Sequence, residues 1–292
     1  MRLSLEEKSS NEILQLVKNL SLQGGEVVEF ELLETQVQEL GYKAFTDLAQ
    51  LFFLKMLTPY TEGKYVILRF EKLHLESSFH TAKQGDEKYG VESEFFLINK
   101  IDQFSFLYHY QKALEFINIQ TKKSVLNLGI NKGDEFKVIQ KMLSPDEFQA
   151  ISFTGIDYSK SAIEYAKDLF KNENISLICH DINKLEQLEL QKFDLIISIG
   201  TLQSSNIEFN ATFMSLYQNY LQKGGAIILG FPNCRWIDGE MIYGAKAPNY
   251  PFSELSLVLK DIHFCKKYLQ QKGYRVIVTG KDYLFLTARK IG

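Results

Sequence analysis

A chain of 292 residues with 45% hydrophobic and 24% charged side chains, and only five prolines, suits one elaborated globular domain or two modest ones. It excludes fibrous and largely disordered classes. The net charge of −3 is unevenly placed: residues 1–116 hold 12 Lys and Arg against 18 Asp and Glu, a balance of −6 that leaves +3 for the remainder.

The first twenty residues carry early acids and lack a basic start, an apolar block and a small-residue cleavage site, so no secretion signal is expected. No apolar run approaches the roughly 18 residues of a membrane helix. In chain order, Ile13–Leu20 is a predicted amphipathic helix, Glu26–Leu32 a strand, Ala44–Met56 an apolar helix and Tyr65–Phe70 a strand. These make an α+β accessory domain over residues 1–90, ending within the polar stretch His80–Gly90. A helix at Ser105–Ile117 then leads into a second domain, residues 91–292.

From Lys123 short apolar runs alternate with segments of helical period, the pattern of a parallel sheet covered by helices. The runs are Ser124–Leu128, Ser152–Ile156, Ser176–Cys179, Phe193–Ile199, Ala226–Phe231, Arg275–Val278 and Tyr283–Ala288. Helices are predicted after the first two runs, with Ser159 as the N-cap of the second; others at Ala211–Gln222, with Gly224 as its C′ residue, and at Lys260–Gln271. Only TGKD separates the last two strands, too short for a parallel crossover, so they form an antiparallel hairpin.

Three widely spaced cysteines, Cys179, Cys234 and Cys265, fit reduced thiols in a cytoplasmic protein. Cys179-His180 and His263-x-Cys265 lack a second pair at zinc-site spacing, so no metal is assigned. Residues 259–292 hold eight basic and two acidic side chains, a segment that suits either a solvated face or nucleic acid phosphates.

In an open parallel sheet the ligand crevice lies beyond the strands' carboxyl ends. The first strand is followed by Gly129-Ile130-Asn131-Lys132-Gly133, where glycines permit a sharp turn and close approach of a ligand. The second is followed directly by Asp157, beside Tyr158, placed to accept hydrogen bonds from a ribose diol; Asp181 after the third can accept from an exocyclic amine or cap a helix.

The motifs SVLNLGINKGDE, FTGIDYS, ISLICHDI, KFDLIISIGTLQ, KGGAIILGF and RVIVTGKDYLFLTA, in this order, resemble the class I S-adenosylmethionine-dependent methyltransferases over about residues 105–290. The resemblance implies a Rossmann-like α/β fold with a seven-stranded, mostly parallel sheet. It implies S-adenosyl-L-methionine as cofactor, with Gly129 and Gly133 at its methionine part, Asp157 at its ribose and Asp181 with Ile182 at its adenine. Gly200, Thr201 and Leu202 would line the pocket near the sulfonium. A nicotinamide dehydrogenase fits less well, because its G-x-G-x-x-G fingerprint is absent.

Two letters depart from the family's pattern. Asn127 stands where an acid usually closes the first strand, and Asn131 replaces the middle glycine. Asn tolerates left-handed geometry, so Asn131 can keep the turn, and Asp134 or Glu135 can supply the charge lost at 127. No catalytic base stands out: His109, Gln203 and Arg235 are the weak candidates, and no Asp/Asn-Pro-Pro-aromatic motif follows the fourth strand.

The long segment 232–257 holds three of the five prolines and the only tryptophan, and reads as an acceptor-recognition flap. Asn233, Arg235, Trp236 and Tyr243, with Gln203, are its substrate-binding candidates, Tyr250 lying in the same segment. The expected function is methyl transfer to a small-molecule acceptor. An RNA methyltransferase and a non-catalytic cofactor-binding subunit are the alternatives. Neither a membrane partner nor an oligomeric state is assigned.

Overall fold

The computed structural model describes residues 1–77, 89–245 and 253–291. They group into two compact units, Met1–Thr81 with Trp236–Tyr243, and Ala82–Arg235 with Gly244–Gly292. The expected boundary stretch His80–Gly90 and the flap residue Tyr250 fall largely or wholly outside the described residues. Among those described, no helix is long and apolar enough to cross a membrane.

The first unit contains β1 (Arg2–Ser4), α1 (Ser10–Lys18), β2 (Val27–Leu33), α2 (Glu34–Leu51), β3 (Leu54–Glu62) and β4 (Tyr65–Lys72). The sheet order is β1-β2-β4-β3. Alternation along β2 sends Val28, Phe30 and Leu32 inward, where Ile13 and Val17 of α1 and Phe45 and Ala49 of α2 join them in one core. Ser9 and Glu12 form a reciprocal capping box that starts α1.

The helix expected at Ala44–Met56 is corrected. It ends at Leu51, Phe53 turns left-handed (φ 56°), and Leu54–Glu62 forms a strand against β4. A short apolar run has no decisive period, and pairing with β4 decides its state.

The second unit contains α3 (Glu94–Leu97), α4 (Phe104–Phe116), β5 (Ser124–Leu128), α5 (Asp134–Met142), α6 (Pro145–Gln149), β6 (Ser152–Asp157), α7 (Lys160–Leu169) and β7 (Ile175–Cys179). Along the chain there follow β8 (Phe193–Ile199), α8 (Phe209–Ser215), β9 (Leu221–Pro232), α9 (Ser256–Gln271), β12 (Tyr274–Gly280) and β13 (Tyr283–Lys290) of the same unit, with β10 (Cys234–Ile237) and β11 (Glu240–Tyr243) between β9 and α9. The strands β10 and β11 form a separate two-stranded sheet, and Trp236–Tyr243 of this hairpin belongs to the first unit.

The seven-stranded sheet has the order β12-β13-β9-β8-β5-β6-β7, with β13 antiparallel to both of its neighbours. The α/β class and the closing antiparallel hairpin are therefore as expected. Because β5 pairs with both β6 and β8, strand order reverses there, and the crevice at its carboxyl end is the place for a ligand. Leu126 and Leu128 of β5 are fully buried, and Leu126→Ala is expected to cost about 2–5 kcal/mol.

The predicted helix Ala211–Gln222 is also corrected. A π turn over Leu216–Tyr220 follows α8, and β9 begins at Leu221. Gly224 (φ 88°) thus lies inside the strand, not at a helix C′ position.

Candidate active site

The chain leaves β5 through three left-handed residues, Gly129 (φ 74°), Asn131 (φ 44°) and Gly133 (φ 82°). Asn131 adopts this geometry at lower cost than most L residues, for which it costs about 1–2 kcal/mol. The backbone N–H groups of Gly129 and Ile130 donate to the Ile156 carbonyl at 2.8 and 3.2 Å, binding the loop to the end of β6.

There the backbone N–H of Asn131 donates to Asp157 Oδ2 at 2.8 Å, and that of Ser159 to Oδ1 at 2.9 Å. Asp157 is 8% exposed. Burial pushes its carboxyl above the ordinary value, against the pull of those two N–H donors and of Lys100. Each carboxylate oxygen keeps a lone pair for a further donor.

Beneath the loop, Asn127 (0% exposed) donates from Nδ2 to Glu135 Oε2 at 3.3 Å, and Lys100 Nζ lies 2.7 Å from Glu135 Oε1. Asn127 Oδ1 has no hydrogen-bond partner among the described residues. Burial alone would lower the Lys100 pKa, but Glu135, Asp134 and Asp157 outweigh it and raise it. Asp134 pairs with Lys137 at 3.2 Å on the same helix. These acids occupy the first turn of α5, where the helix dipole favours them.

Residues 89–102 form a strap held to this loop. Asn131 Nδ2 donates to the Tyr89 carbonyl at 2.8 Å. Lys132 Nζ donates to the Phe96 and Ile98 carbonyls at 2.9 and 2.7 Å and to Asn99 Oδ1 at 3.1 Å, satisfying carbonyls at the end of α3. Val91 N–H donates to Ser161 Oγ at 3.1 Å, and the Phe96 and Tyr165 rings meet edge to face.

The remaining candidates take varied positions. A Cβ on Gly129 would lie 1.8 Å from Thr201 Oγ1, so Thr201 and the loop are in direct contact; one on Gly133 would strike Phe170 at 2.3 Å. Gly200 is left-handed (φ 74°), Leu202 belongs to the core, and Gln203 and Tyr158 are exposed. Asp181 Oδ1 accepts from the Asn183 backbone N–H at 2.9 Å, capping the 3-10 helix that starts at the buried Ile182. That use leaves Oδ2 for another donor.

Asn233 is buried and donates from Nδ2 to the Lys281 carbonyl at 3.1 Å, while Arg235 Nη2 reaches Ser253 Oγ at 3.5 Å. Burial lowers the Arg235 pKa. Trp236 is buried and Tyr243 exposed, both within the part of the hairpin that belongs to the first unit. His109 is half-buried on α4, its ring edge to face with Tyr108.

Sequence reading missed Tyr89, Lys100 and Lys132. The first two lie roughly thirty to forty residues before the loop they meet, a separation that no local spacing reveals. The β10–β11 hairpin carried a signal that went unread: Asp238-Gly239 is a strong two-residue turn pair, and both residues are left-handed (φ 51° and 76°).

A family model described as a methyltransferase domain matches residues 119–277, more than half of the chain. The chain belongs to this methyltransferase family. Its cofactor is S-adenosyl-L-methionine. Two curated relatives of this methyltransferase are malonyl-[acyl-carrier protein] O-methyltransferases, from Acetivibrio thermocellus and Priestia megaterium. They are 32% identical over 114 and 110 residues, in each case 38% of this chain and 37% of the relative. The methyltransferase thus matches little more than a third of those relatives' length. Among solved structures, the plantazolicin methyltransferase BpumL in complex with SAH aligns at 14% identity and a TM-score of 0.48, covering 71% of this chain and 94% of that one. The N-methyltransferase NodS from Bradyrhizobium japonicum aligns at 16% identity and a TM-score of 0.44, covering 66% and 99%.

Proposed function

We propose that the protein transfers a methyl group from S-adenosyl-L-methionine to a small-molecule acceptor, with the donor held in the crevice after β5. The carrying observation is the Asp157 carboxylate, anchored by backbone N–H groups of the loop and of the next helix start. Its remaining lone pairs suit the two hydroxyls of a ribose. Asp181 Oδ2, on the adjacent strand end, suits the adenine amine.

The orphaned Asn127 Oδ1 and the buried Glu135 carboxylate fit the donor's ammonium. When bound, S-adenosyl-L-methionine supplies an electrophilic methyl on a sulfonium that leaves as a neutral thioether. The chain's contribution is then alignment: Gly129 and Thr201 set the wall beside the sulfonium, and the strap 89–102 excludes water from the loop side. A near-attack geometry of this kind needs no strong base when the acceptor is already nucleophilic.

The relatives' activity on malonyl-[acyl-carrier protein] supports a small acceptor group. Arg235, half-buried and cationic, is the side chain best suited to orient an anionic acceptor. The test is transfer of labelled methyl from the donor into fractionated cell extract. Label in the small-molecule or carrier-linked fraction is expected. Label confined to RNA would overturn the acceptor class.

A further inference from the structure

The first unit holds a cavity that methyl transfer does not use. It has a volume of about 210 Å³ and lies between the end of α1, the end of α2 and the start of β3. Its walls come from two stretches of sequence. Leu20 and Leu22 alternate with polar residues in the irregular segment after α1, and Leu51-Phe52-Phe53-Leu54 is an uninterrupted apolar run across the junction of α2 and β3. Four consecutive apolar side chains at such a junction cannot all face one core. Leu54 is buried, whereas Leu51 is left 64% exposed, and both line the cavity.

Two lysines line the same cavity: Lys18, the last residue of α1, and Lys72, the last of β4. Lys72 is half-buried; its Nζ donates to the Phe52 carbonyl at 2.7 Å and lies 5.6 Å from the centre of the Phe53 ring. Among the described residues no carboxylate pairs with Lys72, and burial lowers its pKa with no charge to oppose it. The carbonyl ends of α1 and α2 contribute roughly half a negative charge each, which against two ammoniums leaves about one positive charge beside an apolar wall.

A half-buried cation beside an apolar cavity is matched by a ligand with one negative charge and an apolar body. A dianionic phosphate would leave its second charge facing the helix carbonyl ends. Size narrows the class further. An apolar cavity of about 150 Å³ takes up benzene, so about 210 Å³ suffices for roughly six to eight carbon atoms. We infer that this cavity binds a medium-chain aliphatic monocarboxylate, with the carboxylate on Lys72 and the chain against Leu20, Leu22, Leu51 and Leu54. The site belongs to the first unit alone and uses no residue of the donor crevice.

The test titrates the full chain by calorimetry with octanoate, whose seven-carbon tail matches that space, and with octanamide, its uncharged isostere. Saturable one-site binding of octanoate is expected, with octanamide weaker by about ten-fold or more. Lys72→Met should weaken octanoate by about ten-fold or more while changing octanamide by less than about two-fold. Because Lys72→Met also leaves the Phe52 carbonyl without its donor and can loosen the end of α2, Lys72→Gln, which keeps an N–H there, is measured beside it and should show the same selective loss. Leu22→Trp, which fills the cavity and leaves the charge, should abolish binding of both ligands in a chain that stays folded by circular dichroism. A wild-type protein with no saturable octanoate binding would overturn the inference. So would a folded Leu22→Trp that binds as the wild type does, or a folded Lys72→Gln that keeps the wild-type ratio of the two affinities.

Discussion

The backbone N–H of Asn131 donates to Asp157 Oδ2 at 2.8 Å, while the same residue's amide donates to the Tyr89 carbonyl at 2.8 Å. The residue standing in the middle glycine's place therefore joins β6, the loop and the strap. Substitutions separate its two contributions. Asn131→Gly loses only the amide contact and should cost about 1 kcal/mol. Asn131→Ala adds left-handed strain and should cost about 1–2 kcal/mol more. Urea denaturation measures both, and equal losses would show that the backbone geometry is not what the residue is kept for.

Gly129→Ala places a Cβ 1.8 Å from Thr201 Oγ1 on a left-handed backbone. A loss of about 2 kcal/mol or more is expected, with donor-product binding impaired. Thr201→Gly in the same chain should recover part of the loss, because it removes the clash and not the strain. A double-mutant cycle reads this coupling, and strict additivity would argue against direct contact.

Lys132 satisfies two carbonyls and an amide oxygen of the strap. Lys132→Met should speed amide hydrogen exchange across residues 94–102 while leaving β5 and β6 protected. Charge-assisted hydrogen bonds contribute about 1.5–3 kcal/mol. Unchanged exchange in that segment would mean the strap is held by its aromatic contacts alone.

The Asp157 carboxyl is raised chiefly by burial, and in the proposed placement of the donor the ribose hydroxyls would donate to its ionised form. Affinity for S-adenosylhomocysteine should accordingly be flat at neutral pH. It should fall, by up to about ten-fold per pH unit, below a midpoint above the ordinary aspartate value of about 3.9. The sign for stability is opposite: a raised folded-state pKa means the ligand-free native state binds the proton more readily than the unfolded chain. Its contribution from this group thus improves as pH falls through the raised value. Calorimetry across pH 4.5–8 checks the affinity profile, and a midpoint at or below the ordinary value would contradict it.

The sheet was legible because β5, β6, β8 and β9 are apolar runs buried on both faces, and because TGKD between the last strands forbids a crossover. Asp157 and the glycine loop followed from their places at strand ends. What escaped depended on distant partners. Leu54–Glu62 is a strand only because β4 lies beside it, and Gly224 falls inside β9, not behind a helix, because a π turn shortens the preceding element. Lys100 meets Glu135 across 35 positions of chain, and Lys132 meets the Phe96 carbonyl across 36. A lysine carries no sign in sequence of the acid or carbonyl it will find.

Calorimetric titration of the wild-type protein and of Asp157→Ala with S-adenosylhomocysteine addresses the crevice after β5 most directly. Saturable one-site binding to the wild type, lost in a folded Asp157→Ala, is expected. No binding to the wild type, or equal binding to both proteins, would contradict the placement of the donor on this carboxylate.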